Sequence, residues 1–219
     1  MSSHNLTSKR LTDLGLGIFN EFWDGVHPHY LPFLNLHDSN ESNWNLTISI
    51  QRLNTIVEKH SEQSVQEGIR HLLTHPDWRP HLVACLVLLR LSPQARSTLL
   101  DLFWERLSLG SWVSPQISVA VSLVDRNFKM KGEKILSDGL AMNDPSLLAQ
   151  DHHALPGPRR PYPPEGKTKA ALEFLVHNVI NDTSDNDAGG LHARDWKQTL
   201  LKLIDSKRIV SCEILQGTA

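Results

Sequence analysis

Histidines and aspartates in two short segments are the residues of this chain best suited to bind a metal ion. Asp151, His152 and His153 are consecutive, and His27 and His29 lie two positions apart. Imidazole and carboxylate groups are common ligands of zinc, but HExxH, CxxC and comparable ligand spacings are missing from the sequence. We therefore predict a chain without a metal or another cofactor. A metal-dependent enzyme of a helical class, built on these five residues, stays open as an alternative.

The motifs of nucleophilic catalysis and phosphate binding are also missing. No GxSxG sequence is present, so the nucleophile elbow of serine hydrolases is not predicted. Gly166, Lys167 and Thr168 have the letters that end a P-loop, but Pro161 occupies the position of the first glycine of that motif. The sequence therefore favours a protein that is not an enzyme.

The periodicity of apolar residues indicates helices. Two segments, 80–91 and 116–124, are apolar almost all round, which predicts helices buried on every side. Each is followed by an amphipathic segment, at 93–107 and 127–140. Further helices are predicted at 12–23, 46–59, 64–73, 167–180 and 193–205.

Trp78 and Trp112 each stand shortly before one of the two apolar helices, which gives a weak repeat of roughly 34–36 residues. Over residues 61–140 this pattern resembles HEAT-like α-hairpin repeats, although a packed helical bundle explains the same pattern. The predicted fold class is therefore mainly all-α, either a helical bundle or a short HEAT-like solenoid. Apolar residues between Ile209 and Leu215 predict a small C-terminal strand in addition.

A proline-rich stretch suggests how the chain is divided. Residues 151–166 contain five of the twelve prolines, so this stretch is predicted to be a linker or a long loop packed along the surface. The predicted divisions are a helical domain over residues 1–150, this stretch, and a C-terminal helical subdomain over residues 167–219.

The net charge, the apolar runs and the cysteine count of the sequence limit the kinds of partner and the cellular location that we expect. The formal charge of −2 and the pI of about 6.6 do not favour binding of nucleic acid or of an anionic membrane. The longest apolar run, Leu82–Leu89, is too short to span a bilayer, and the polar residues Met1–Arg10 do not form a signal peptide. Only two cysteines occur, which is typical of a reducing compartment, so we expect the protein in the cytoplasm.

Helical proteins without catalytic motifs most often serve as binding surfaces, which predicts a protein–protein interaction module. In size and general composition the chain resembles the helical immunity proteins of bacterial contact-dependent toxin systems. That resemblance implies a protein partner, namely a basic toxin domain whose active site is blocked by carboxylates. The predicted contact residues are three aspartates of one loop and two residues of an irregular N-terminal stretch: Asp182, Asp185, Asp187, Asp24 and Trp44.

The C-terminal segment offers a third hypothesis, a small regulator that binds DNA. Two predicted helices, a loop and a predicted strand between Lys167 and Leu215 resemble the layout of a winged helix, and Lys197 and Lys202 lie on the second helix. However, the segment from Gly166 to Ala219 has seven Lys or Arg and seven Asp or Glu residues, whereas a DNA-binding face is basic.

Overall fold

The computed structural model describes residues 14–23, 29–38, 45–139 and 165–215. Within these residues the chain forms ten α-helices, two short 3-10 helices and no strand, so the prediction of an all-α fold is confirmed. The α-helices are α1 (Pro32–Asn35), α2 (Leu46–Lys59), α3 (Glu62–Thr74), α4 (Trp78–Leu88), α5 (Pro93–Ser97), α6 (Leu100–Leu109), α7 (Ser114–Ser122), α8 (Phe128–Asp138), α9 (Glu165–His177) and α10 (Gly189–Asp205). The 3-10 helices are Gly17–Phe22 and Ser184–Asn186.

Helices α4 and α7 form the centre of the fold. Every residue of α4 from Arg79 to Leu88 and every residue of α7 from Ser114 to Val121 is buried, which confirms the prediction made from their apolar sequences. The two helices contact each other; α3 packs on α4, whereas α9 and α10 pack on α7 and on each other. Buried side chains of α9 and α10 belong to the same hydrophobic cluster as those of α4.

The N-terminal segment does not form the α-helix predicted over residues 12–23. Among its described residues, Gly15 and Gly17 have φ angles of 70° and 57°, in the left-handed region that a right-handed α-helix does not allow. A 3-10 helix therefore starts only at Gly17, and it buries Phe19 and Phe22. The predicted helix over 93–107 is likewise divided, into α5 and α6, at Thr98 and Leu99.

The predicted C-terminal strand is not formed, because residues 209–215 bind the ends of two helices instead of a neighbouring strand. The amide of Cys212 donates to the carbonyl of Leu89 at 2.9 Å, and the amide of Leu215 donates to the carbonyl of Leu123 at 2.8 Å. The guanidinium of Arg96 fixes this segment further by donating to the carbonyl of Glu213 and to two carbonyls at the end of α4. The segment thus satisfies main-chain acceptors that a helix end leaves unpaired.

The connection between α9 and α10 has a defined conformation. Thr183 and Asn186 form a reciprocal capping box around the 3-10 helix. Gly189 is already the first residue of α10, and a Cβ atom there would lie 2.2 Å from the carbonyl oxygen of Lys167. Residues 151–164 of the predicted linker lie outside the described residues, and Glu165 and Gly166 belong to α9.

Candidate functional site: a pocket of aromatic and cationic side chains

Two of the five predicted contact residues have defined roles within the fold. The carboxylate of Asp182 accepts hydrogen bonds from the amides of Gly190 and Leu191, at 3.1 and 3.0 Å. These amides lie in the first turn of α10 and have no acceptor within the helix, so Asp182 stabilises the start of that helix. Asp187 lies on the same connection, but its carboxylate binds the ammonium of Lys167 at 2.6 Å.

The structure does not place the other three predicted contact residues in a common site. Asp24 and Trp44 lie outside the described residues. The main chain of Asp185 belongs to the 3-10 helix Ser184–Asn186. The grouping of all five into one surface therefore stays a prediction.

Of the five residues on which the metal-dependent enzyme hypothesis depends, the structure describes one, His29. His29 is buried, and its ring lies 5.8 Å from the ring of Phe22. His27 and residues 151–153 lie outside the described residues. Among the residues that the structure describes, no three His, Cys, Asp or Glu side chains are close enough together to hold a metal ion.

A pocket of about 420 Å³ lies where five segments of the chain meet. This volume is within the range of sites that bind small molecules or protruding side chains. Tyr30, Leu31, Leu34 and Asn35 line it from the N-terminal part. The other lining residues come from α4, α7, α9, α10 and the segments just before α7 and α10: Trp78, Arg79, Trp112, Val113, Gln116, Lys167, Asp187 and His192. We name it the aromatic–cation pocket after Tyr30, Trp78, Trp112, Arg79 and Lys167.

Each cation of the pocket lies against aromatic rings. The guanidinium carbon of Arg79 lies 5.1 Å from the centre of the Trp78 ring and 5.7 Å from that of Tyr30. The ammonium of Lys167 lies 5.0 Å from the centre of the Trp112 ring. Such contacts contribute about 0.5–2 kcal/mol each, and more as the cation loses water. The side chains of Arg79 and Lys167 are only 9% and 7% exposed, so these contacts lie at the upper end of the range.

Local sequence signals place Trp78 and Arg79 at the start of α4. Asp77 is the N-cap residue: one carboxylate oxygen accepts from the amide of Arg79 at 2.9 Å, and the other binds its guanidinium at 2.5 Å. Tyr30 is held in turn by ring contacts with Trp23, at 5.9 Å, and with Trp78, at 6.2 Å. The wall formed by Tyr30 and Trp78 is therefore fixed before any ligand binds.

A buried polar network holds the chain just before Trp112. The ring of His81 binds the hydroxyl of Ser111 at 2.8 Å through Nδ1 and the carbonyl of His75 at 2.9 Å through Nε2. Because a carbonyl only accepts, Nε2 must carry the proton, and Ser111 donates to Nδ1. Arg106 donates to the same carbonyl of His75 and to that of Gly110.

The histidine of this network is uncharged. Burial is the main cause that lowers the pKa of His81 well below 6.5, and the charge of Arg106 lowers it further. Ser111 and His81 are both buried, so the pair positions the main chain and is closed to a substrate.

Gln116 carries the one fully buried side-chain polar atom of the described pocket lining that has no hydrogen-bond partner. Its side-chain amide donates to the carbonyl of Leu34 at 3.1 Å, but its Oε1 has no hydrogen-bond partner among the described residues. The residue is 6% exposed, and an unpaired buried acceptor costs about 1–3 kcal/mol.

The described lining of the pocket carries two cations, Arg79 and Lys167, and one carboxylate, Asp187. Lys167 pairs with Asp187, and Arg79 pairs with Asp77, which lies outside that lining. The remaining titratable group is His192, whose pKa is lowered first by burial and then by the charge of Lys167. The imidazole therefore stays neutral near pH 7, and two cations remain as the charged donors.

The sequence contained partial signals for this site. The sequence pattern marks Trp78 and Trp112 as residues that precede the two buried helices, whereas no local pattern singles out Arg79 or Gln116. Lys167 belongs to the incomplete P-loop and to the start of a predicted helix, and neither pattern predicts that it lines this pocket. Nothing in the local sequence indicates that the start of α9 lies next to Trp112, because α9 and α7 are separated by about 40 residues.

Comparisons of the chain with protein families, curated proteins and solved structures find no match. None of the helices in the described ranges has both the length and the apolar character needed to cross a membrane. The function must therefore be argued from the aromatic–cation pocket itself.

Proposed function

We propose that this chain is a protein–protein interaction module that binds its partner through the aromatic–cation pocket. The observation that supports the proposal is the convergence of Tyr30, Trp78, Trp112 and Arg79 on one concave site of about 420 Å³. Tryptophan, tyrosine and arginine are the residues that most often dominate the binding energy of protein interfaces.

The state of these side chains also suits an interface. Tyr30, Trp78 and Trp112 are half-buried, so each ring is fixed by the fold while part of its surface is left for a partner. Because ring contacts hold Tyr30 and Trp78 in place, little side-chain entropy is lost on binding. A partner segment inserted here would meet a prearranged pocket.

The narrower hypothesis, an immunity protein that blocks a basic toxin domain, stays a prediction. It relied on carboxylates, yet Asp182 stabilises the start of α10 and Asp187 pairs with Lys167. We therefore shift the proposed contact surface from the acidic loop to the pocket. The metal-dependent enzyme and the DNA-binding regulator also stay predictions, and the winged-helix layout lacks its strand in residues 209–215.

The test is a tagged pull-down from the native cell, followed by a titration with the purified partner. Trp78→Ala and Trp112→Ala should each weaken binding by at least about 2 kcal/mol, roughly 30-fold in Kd, as expected for central interface residues. Trp104→Ala is the matched control, because Trp104 is also partly buried but lies outside the pocket lining. Circular dichroism would confirm that the variants are folded.

The proposal fails if the partner binds both pocket variants as tightly as the unaltered chain. It also fails if Trp104→Ala weakens binding as much as the pocket variants do, because the effect would then reflect a general loss of stability.

A further inference from the structure

We infer that the aromatic–cation pocket recognises an acidic residue, Asp or Glu, whose side-chain carboxylate accepts hydrogen bonds from the unused N–H donors of Lys167 and Arg79. This inference rests on the proposed function and names the chemistry of the partner at the same site. Its argument depends on two sets of polar atoms in the pocket.

The first set is the spare donors of the two cations. The ammonium of Lys167 has three N–H donors, of which the carboxylate of Asp187 uses one. The guanidinium of Arg79 has five, and its one side-chain partner among the described residues is Asp77. Both side chains are more than nine-tenths buried, so water satisfies these donors poorly and a ligand oxygen would be bound strongly.

The second set is the carboxylate that already lies in the pocket. The side chain of Asp187 is 46% exposed, yet one of its oxygens lies 2.6 Å from the ammonium of Lys167. The chain thus shows that Lys167 accepts a carboxylate in this position. Asp187 and Ala188 both have left-handed main-chain conformations, with φ of 46° and 51°, which are unfavourable for residues other than glycine.

The proposed function limits the kind of anion that these donors would meet. Because the proposed partner is a protein, the oxygen atoms offered to Lys167 and Arg79 would be those of an Asp or Glu side chain.

The direct test uses the unaltered, full-length chain and the smallest probe with this chemistry, N-acetyl-glutamic acid α-amide. Its matched control is N-acetyl-glutamine α-amide, which has the same shape without the charge. We expect the glutamic acid probe to shift the indole NMR signals of Trp78 and Trp112, with a Kd on the order of 1–10 mM as usual for a ligand of this size. The glutamine probe should bind at least about tenfold more weakly, because charge-assisted hydrogen bonds are lost.

Two lysine variants test whether binding of the charged probe depends on Lys167. Lys167→Gln should weaken binding of the charged probe about tenfold. Lys131→Gln should leave it unchanged, although Lys131 also lies over a tryptophan ring, at 5.6 Å from Trp104, and also binds a buried carboxylate, at 3.2 Å from Asp125. Asp187→Asn should tighten binding about threefold or more, because it removes the competing charge at Lys167.

Three results would overturn the inference: equal binding of the two probes, no indole shift at a concentration tenfold above the expected Kd, or equal losses in the two lysine variants. Because the first two are measured on the unaltered chain, a misfolded variant does not decide the outcome. If Trp112→Ala abolishes partner binding while the charged probe fails to bind, the proposed function stands and this inference alone is wrong.

Discussion

The buried ring of His81 should make the stability of the fold depend on pH in a defined direction. In the native structure its Nε2 donates to a carbonyl and its Nδ1 accepts from Ser111, so the ring has no room for a second proton. Burial and the charge of Arg106 lower its pKa well below 6.5. In the unfolded chain the same ring titrates near its ordinary pKa of about 6.5.

The sign and size of the effect follow from proton linkage. As the pH falls below about 6.5, the unfolded state binds a proton that the native state excludes, so the stabilisation is complete above that pH and is lost below it. While the native ring stays neutral, each pH unit removes up to about 1.4 kcal/mol from the free energy of unfolding. Between pH 7.5 and pH 5 this histidine alone therefore accounts for a loss of about 2 kcal/mol.

Urea unfolding at a series of pH values would measure this loss. His81→Gln is the control variant, because the glutamine amide offers N–H donors and a carbonyl acceptor but does not titrate, and it leaves the other histidines of the chain in place. We expect the unaltered chain to lose about 2 kcal/mol more than His81→Gln between pH 7.5 and pH 5. Equal losses in the two proteins would refute the assignment of a neutral, fully hydrogen-bonded ring.

Three further predictions concern the stability of the fold and the accessibility of its two cysteines. Arg96→Met should lower the free energy of unfolding by about 2–4 kcal/mol in urea, because three carbonyl groups lose a charged donor; a loss below about 0.5 kcal/mol would contradict its role. Gly189→Ala should destabilise the fold by about 2 kcal/mol or more in the same assay, because its Cβ would collide with a main-chain oxygen of α9; a loss below about 0.5 kcal/mol would contradict the close approach. A disulfide reagent should modify Cys212 in the native protein but Cys85 only after unfolding, because burial raises the pKa of the Cys85 thiol; rapid reaction of both thiols would disprove this assignment.

The sequence determined the helical class and the two central helices. Segments that are apolar on all sides have to be enclosed by other elements, so the burial of α4 and α7 followed from composition alone. A helix start is also marked locally: Ser92, a good N-cap residue, precedes Pro93, and its hydroxyl accepts from the amide of Ala95. These signals are local, since each depends on residues within one or two turns.

The tertiary structure alone decided which residues form the candidate site. Tyr30, Trp78, Gln116 and Lys167 are far apart in the chain, and they meet only because α7 lies between α4 and the pair formed by α9 and α10. The same holds for Asp187, which the sequence predicts as a partner-contact residue and which forms an ion pair with a buried lysine. Periodicity and capping fix the elements but carry no information on which helix ends meet, because that depends on the joint burial of distant apolar faces.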